Sequence, residues 1–172
     1  MDDAQGGVDG GGARGGSAGS GEREEAFLAV AGEILDGYAA ALGTLDDERV
    51  NASPVPGVVN SAFALVIHVD GMAKFWLGSF VAGEDIDRDR DSEFRATGTV
   101  AEARALLDAL RPRLAEWVRI ALAEGIRNRA ARGTSVRDFA NASPEWVLDH
   151  VLHEFAQHLG HLEVCRDVLG AR

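Results

Sequence analysis

The chain has 172 residues, of which 46% are hydrophobic, and its formal net charge at pH 7 is −11. This length and composition predict one domain with its own hydrophobic core. The negative charge argues against nucleic acid as a partner, because a phosphate backbone repels an acidic surface that lacks a basic stripe. The densest group of arginines is better interpreted as a solvated helix end, and it consists of Arg127, Arg129, Arg132 and Arg137.

Neither the cysteine content nor the hydropathy pattern indicates export or membrane insertion. A single cysteine, Cys165, rules out an internal disulfide framework and fits a reducing compartment. We interpret it as a small packing residue. No apolar run reaches the roughly 20 residues that cross a bilayer, and the N-terminus lacks the apolar stretch of a secretory signal. We therefore predict a cytoplasmic protein without a membrane span.

A glycine-rich tail precedes the first predicted helix. Residues 1–21 include nine glycines and almost no large apolar side chains, which predicts a disordered tail. From Glu22 apolar residues recur at steps of three and four, and this spacing predicts a helix that ends near Gly43. Residues 22–172 are thus expected to form the folded domain. The apolar positions of the first helix are Phe27, Val30, Ile34, Tyr38 and Leu42.

The second predicted helix runs from near Val58 to about Phe80, and its apolar face carries Leu65, Val69, Met72 and Trp76. Residues 83–98 then form a charged connection without periodicity, which is long for a hairpin between antiparallel helices. This length favours a crossover between helices two and three, which would make them parallel neighbours. We interpret its acidic run, EDIDRDRD, as a solvated loop, with calcium on its carboxylates as the alternative.

The third and fourth helices have clear start signals. Thr99 and Glu102 form a predicted capping box, and Pro112 predicts a local kink in the helix that follows. Polar residues from Gly133 predict another loop. Ser143 is the expected N-cap of the fourth helix, which ends near Gly170. The buried stripe of the third helix consists of Leu106, Leu110, Leu114, Trp117 and Ala121. No segment is typical of a strand, so the sequence predicts an all-α fold, a four-helix bundle.

Four of the five histidines lie on the fourth helix. At about 100° per residue, His150, His158 and His161 lie within about 40° of Glu154, whereas His153 lies about 100° away. Imidazole and carboxylate groups stacked one turn apart suit zinc and other first-row divalent metals. The alternative interpretation is an ordinary solvated helix face.

The fifth histidine, His68, falls on the apolar face of the second helix and is expected to point into the bundle. A buried imidazole needs a partner for its nitrogens, which is either a hydrogen-bonding core residue or a metal. We interpret four large side chains at core spacing as core rather than as a cofactor site, and they are Met72, Trp76, Trp117 and Trp146.

Two segments resemble the DinB-like four-helix-bundle proteins, in particular an actinobacterial branch related to the mycothiol-dependent maleylpyruvate isomerases. Residues 64–95, which begin ALVIHVDGM, resemble the second helix and following loop of that branch, and residues 143–170, which include HEFAQHLGH, resemble its last helix. The resemblance implies that His68, Glu154 and His158 bind a divalent metal. His161 would lie beside the metal or serve as an alternative ligand. Two positions, His153 and Gln157, depart from the pattern of the branch.

The resemblance also implies a function. Three protein ligands leave coordination positions open, as in catalytic metal sites. The implied metal is zinc, with nickel, iron or manganese as alternatives. The implied activity is that of a metal-dependent transferase or isomerase that uses a low-molecular-weight thiol, such as mycothiol, on a small-molecule substrate, and members of the family often form homodimers. The alternative is a non-catalytic bundle, a metal-binding or dimerising stress-response protein.

Overall fold

Helices dominate the computed structural model, which describes residues 16–57, 59–132, 139 and 141–171. Over these residues there is no strand, and the predicted all-α bundle is confirmed. The helices are α1 (Gly16–Leu42), α2 (Ala62–Ala73) with a π-helical continuation (Lys74–Ala82), the short α3 (Arg90–Glu93), α4 (Val100–Glu124) and α5 (Pro144–Val168), and a 3-10 turn spans Arg49–Asn51.

The four long helices pack in a square. Helices α1 and α2 each contact both α4 and α5, which places α1 and α2 on opposite sides of the α4–α5 pair. One hydrogen bond inside the core fixes α1 on α5, because the Tyr38 hydroxyl donates to the Phe155 carbonyl oxygen at 3.0 Å. The largest fully buried side chains come from all four long helices and include Trp117, Phe27, Phe80, Leu65 and Leu107.

The start of α1 differs from the prediction. The helix begins at Gly16, six residues before the predicted start at Glu22. Residues 1–15 of the predicted tail lie outside the described part of the chain. Val30 was expected on the buried face but is 44% exposed. The buried face instead carries Phe27, Ala31 and Leu35, which are spaced four residues apart.

Helix α2 begins at Ala62 rather than near Val58. Ser61 is its N-cap, since the Ser61 side chain accepts a hydrogen bond from the Ala64 N–H and satisfies one of the free donors of the first turn. The π-helical continuation ends at Ala82, and its C-cap is Gly83, whose φ of 77° suits glycine. The whole stretch packs tightly, and ten of the twelve residues of α2 itself are buried.

The stretch Ala62–Ala82 is long and apolar enough to cross a membrane by length and composition alone. The expectation that no run reaches this length was therefore wrong. However, 83% of its most apolar window is buried inside the bundle, as in the core helix of a globular protein. A helix that is apolar on all sides is expected where neighbouring elements cover it, and α2 contacts α3, α4, α5 and the 3-10 turn.

The connection between α2 and α4 is folded onto the bundle, so its interpretation as a solvated loop was only partly right. Asp85 and Asp87 are exposed, as expected. Glu84, in contrast, accepts a hydrogen bond from Trp117 Nε1 at 2.8 Å and pairs with Arg113. Asp89 caps α3 by accepting hydrogen bonds from the N–H groups of the first turn. The connection therefore makes specific contacts with the bundle.

The starts of α4 and α5 agree with the sequence. Both halves of the Thr99–Glu102 capping box are present, and the Ser143 side chain accepts from the Trp146 N–H. Helix α4 runs through Pro112 without ending. Trp146 was predicted to be in the core but is 41% exposed. Most of the predicted loop between Gly133 and Ser143, namely residues 133–138 and 140, lies outside the described residues.

Candidate metal centre

Helix α2 contributes one histidine to the interior of the bundle. His68 is only 6% exposed, as the periodicity of the helix predicted. Its ring stacks on the Phe94 ring, with centroids 5.0 Å apart and an interplanar angle of 30°. The side chain is thus held by packing as well as by the polar contacts described below.

Helix α5 contributes a glutamate flanked by two histidines. Glu154 lies one turn from His150 and one turn from His158, on one stripe of the helix, as predicted. The Glu154 Oε2 atom is 3.4 Å from His158 Nε2, and the Glu154 Oε1 atom is 3.8 Å from His150 Nε2. All three side chains are half-buried. His153 is exposed to solvent, as expected for its position on the helix.

The bundle brings His68, Glu154 and His158 together. Each offers one ligand atom, and these three atoms lie within 4.8 Å of one another. The two imidazole rings meet edge to face, with centroids 4.7 Å apart. His158 Nδ1 is buried and has no hydrogen-bond partner among the described residues. Such an unsatisfied nitrogen is costly in a protein interior unless a ligand, a metal or a water pairs with it.

The charge of Glu154 suits a cation. The hydrogen bond from His158 lowers the pKa of Glu154, and although burial opposes this, the nearby His150, His158 and His68 rings lower it further. Glu154 is therefore ionised at neutral pH. Two imidazoles and one carboxylate form a donor set of the kind that binds zinc and other first-row divalent metals. Three ligands of this kind leave room for a further, exchangeable ligand.

His161 lies near this group without belonging to it. Its ring centroid is 6.5 Å from that of His158. Burial, followed by the charge of His158, lowers the pKa of His161, so its ring is neutral at neutral pH. An uncharged imidazole at this distance can accept a proton beside the centre.

A buried ion pair behind His68 was missed in the sequence. Glu93 is 5% exposed, and its Oε2 atom lies 2.8 Å from His68 Nδ1. Arg88 donates two hydrogen bonds to the same carboxylate, at 2.6 and 2.9 Å. Burial alone would raise the pKa of Glu93, but the hydrogen bonds from His68 and Arg88 outweigh it and lower the pKa. The one local signal in the sequence for ordered structure at this point was Asp89, a typical N-cap four residues before Glu93.

Aromatic side chains extend from the centre to the surface. The exposed Trp146 ring stacks on His150, with centroids 4.9 Å apart and an interplanar angle of 12°. Trp76 contacts the same imidazole edge to face, also at 4.9 Å. The Phe139 ring packs in turn against Trp76. His150 therefore lies between the rings of Trp76 and Trp146 on one side and Glu154 on the other.

Comparison with known proteins places the chain in a family. The family model described as Mycothiol-S-transferase matches residues 29–171. This family belongs to the DinB-like actinobacterial group, so the resemblance found in the sequence is confirmed. The match includes the second half of α1, the other three long helices and every residue of the candidate centre. Searches of the curated proteins and of the solved structures gave no significant match.

Proposed function

Because the chain belongs to the mycothiol S-transferase family, we propose that it transfers a low-molecular-weight thiol such as mycothiol to a small electrophile, with a divalent metal held by His68, Glu154 and His158. The observation that carries the proposal is the convergence of these three side chains from two helices, within the residues that match the family. We propose zinc as the metal, since two imidazoles and a carboxylate suit it.

The donor set fits such an ion. His158 Nδ1 is buried and has no hydrogen-bond partner in the part of the chain that the structure describes, and the Glu154 carboxylate is ionised. Both are expected where a cation compensates for their burial. When bound, a divalent ion lowers the pKa of a coordinated thiol, so that the thiolate forms near neutral pH. Glu154 would offset part of the positive charge and would make the centre a weaker Lewis acid than one with three histidines.

The chain's own residues supply the remaining parts of the reaction. His68 lies against Phe94, and His150 lies against Trp76 and Trp146, so aromatic rings limit water on two sides of the centre. In the transfer, the thiol sulfur forms a bond to an electrophilic carbon, the leaving group departs with its bonding electrons, and the thiol loses its proton. We propose His161, whose ring centroid lies 6.5 Å from that of His158, as the acceptor of that proton.

We also propose where and in what form the protein works. A mycothiol-dependent reaction requires a reduced thiol pool, which is consistent with a cytoplasmic location and with the free, buried Cys165.

Val164 and Val168 are exposed one turn apart on α5, and this apolar surface is our candidate for a homodimer contact. Sedimentation that gave a monomer at high micromolar concentration would exclude this dimer.

A transfer assay with defined metal content tests the function. The protein is purified without added metal, loaded with one equivalent of zinc, and mixed with mycothiol and an alkyl halide dye that becomes fluorescent on S-conjugation. We expect conjugate formation well above the rate without protein, and loss of that rate after chelation. The matched control is His153→Ala, which removes an exposed histidine from the same helix. A stoichiometric metal with no turnover on any electrophile would instead support a non-catalytic metal-binding bundle.

A further inference from the structure

The buried ion pair behind His68 has a specific consequence for the candidate metal centre. We propose that Glu93, fixed by Arg88, is a positioning residue that sets the orientation and the proton position of the His68 ring. The inference rests on the proposed metal centre, because its purpose is to present one defined nitrogen of His68 to the ion.

The hydrogen bond between His68 and Glu93 determines which ring nitrogen carries the hydrogen. His68 Nδ1 and Glu93 Oε2 are 2.8 Å apart, and both side chains are buried. An ionised carboxylate can only accept hydrogen bonds, so His68 Nδ1 must carry the hydrogen. In the neutral ring, Nε2 then has the free lone pair. Ligating histidines commonly donate their second ring nitrogen to a carboxylate in this way, which fixes the tautomer and raises the basicity of the ligand.

Glu93 is itself held rigidly by Arg88. Arg88 donates to both carboxylate oxygens, from Nε to Oε1 at 2.6 Å and from the guanidinium Nη2 to Oε2 at 2.9 Å. A bidentate ion pair of this geometry fixes the plane of the carboxylate and keeps it charged. The two residues come from the crossover connection, five positions apart, on either side of the start of α3 at Arg90.

The Arg88–Glu93 pair approaches α2 closely at Gly71. Gly71 lies one turn after His68, and a Cβ atom at this position would overlap Glu93 Oε1 and lie 3.1 Å from its Cδ. The same Cβ would be 3.3 Å from Arg88 Nε. Glycine therefore leaves the space into which the carboxylate fits beside the His68 ring. Phe94, the residue after Glu93, stacks on that ring and limits its rotation.

A second buried carboxylate on α2 provides the comparison. Asp70 is also buried, but its partner is Lys74 at 2.6 Å, and no hydrogen bond within the described part of the chain joins it to a histidine. If Glu93 served only to hold the crossover on α2, Glu93→Gln would lower stability but would leave the His68 ring as it is in Asp70→Asn. The inference predicts that only the replacement of Glu93 changes the His68 ring.

The first measurement needs no metal. Nitrogen-15 NMR of the histidine rings in the metal-free protein distinguishes the two neutral tautomers, and His68→Gln assigns the signal. We expect His68 in the Nδ1–H form in the wild type. In Glu93→Gln, whose amide can donate as well as accept, we expect a mixture of tautomers. In Asp70→Asn we expect the wild-type signal.

The second measurement is the affinity for zinc alone, determined by competition with a chromophoric chelator. We expect Glu93→Gln to weaken binding by about 10–100-fold and Asp70→Asn by less than about threefold. An Nε2–H tautomer in the wild type, or Glu93→Gln with unchanged zinc affinity, would overturn the inference. The two proposals fail separately, because a wild-type protein that binds zinc tightly but transfers no thiol would contradict only the proposed activity.

Discussion

The ring of His68 on α2 meets the ring of His158 on α5 edge to face, with an interplanar angle of 79° and centroids 4.7 Å apart. The two residues lie far apart in the sequence, and each is held on its own helix by the packing of the bundle. Glu154, one turn before His158, completes the group. The metal proposal therefore depends on how α2 and α5 pack against each other, and substitutions on either helix test it.

Removal of one imidazole should remove the metal. We expect His158→Ala to abolish stoichiometric zinc binding, because only two protein ligands would remain. His153→Ala should bind zinc as the wild type does, since this residue is exposed on another face of α5. Elemental analysis after dialysis measures both variants. Equal metal content in the two would mean that His158 is not a ligand.

His161 and Glu154 can be separated by the same measurement. The His161 ring lies 6.5 Å from that of His158 and outside the group of three, so His161→Ala should reduce zinc affinity only modestly. Glu154→Ala removes the anionic ligand and should weaken binding far more. At saturating zinc, His161→Ala should still lower the transfer rate if its ring accepts the thiol proton. The reverse order of zinc affinities would make His161 the ligand.

Two helical glycines should respond in opposite ways to alanine. A methyl group at Gly160 on α5 would have no described atom within 4 Å, so Gly160→Ala should stabilise the fold by about 0.5–1 kcal/mol through helix propensity. Gly71→Ala would place a methyl group on the Glu93 carboxylate and should destabilise the fold by about 1–3 kcal/mol. Urea unfolding measures both. A stabilised Gly71→Ala variant would show that the crossover moves away easily.

The cysteine should be unreactive in the folded protein. Cys165 is fully buried, its thiol donates to the Asn60 carbonyl oxygen at 3.5 Å, and burial raises the pKa of the thiol. The thiolate is the reactive form, and a raised pKa means that less thiolate is present at any given pH. Alkylation by iodoacetamide at mildly alkaline pH should therefore be much slower in the native than in the urea-unfolded protein. Fast native labelling would contradict this burial.

The residues before Gly16 should be dispensable for stability. A chain that starts at Gly16 keeps α1 intact and should melt within a few degrees of the full chain. A chain that starts at Ala29 serves as the control, because it also loses Phe27, which is fully buried. Loss of a buried phenylalanine side chain costs about 3–5 kcal/mol. A large drop for the shorter deletion would mean that residues 1–15 dock on the bundle.

The parts of the structure that were predictable are those with helical periodicity. The inward position of His68 followed from the apolar face of its helix, and the shared stripe of Glu154 and His158 followed from their spacing. Angular position also separated His153 from the group. Periodicity places a residue on its own helix but does not say which helix faces it. The prediction that α2 and α5 meet at these residues came from the family resemblance.

The contacts that were not predicted involve residues outside regular helices or at their ends. Arg88 and Glu93 lie in a charged segment without periodicity, where composition favours solvent exposure and only the tertiary fold buries them. Trp146 was placed in the core because of its size and spacing. It lies in the first turn of α5, on the side away from the buried Val147 and Leu148, and it remains partly exposed although its ring stacks on His150.

The crossover between α2 and α4 contacts different helices along its length. Glu84 binds side chains of α4, whereas Arg88 and Glu93 reach α2 further along the same segment. Its outward aspartates contribute little to these contacts, so point substitutions at Asp85 or Asp87 should be tolerated in evolution. Insertions and deletions between Glu84 and Glu93 should not be tolerated. A change of one residue in length would shift the contact of Glu84 with α4 relative to the contact of Glu93 with α2. We therefore expect family members that share both contacts to differ in the composition of this segment but to share its length.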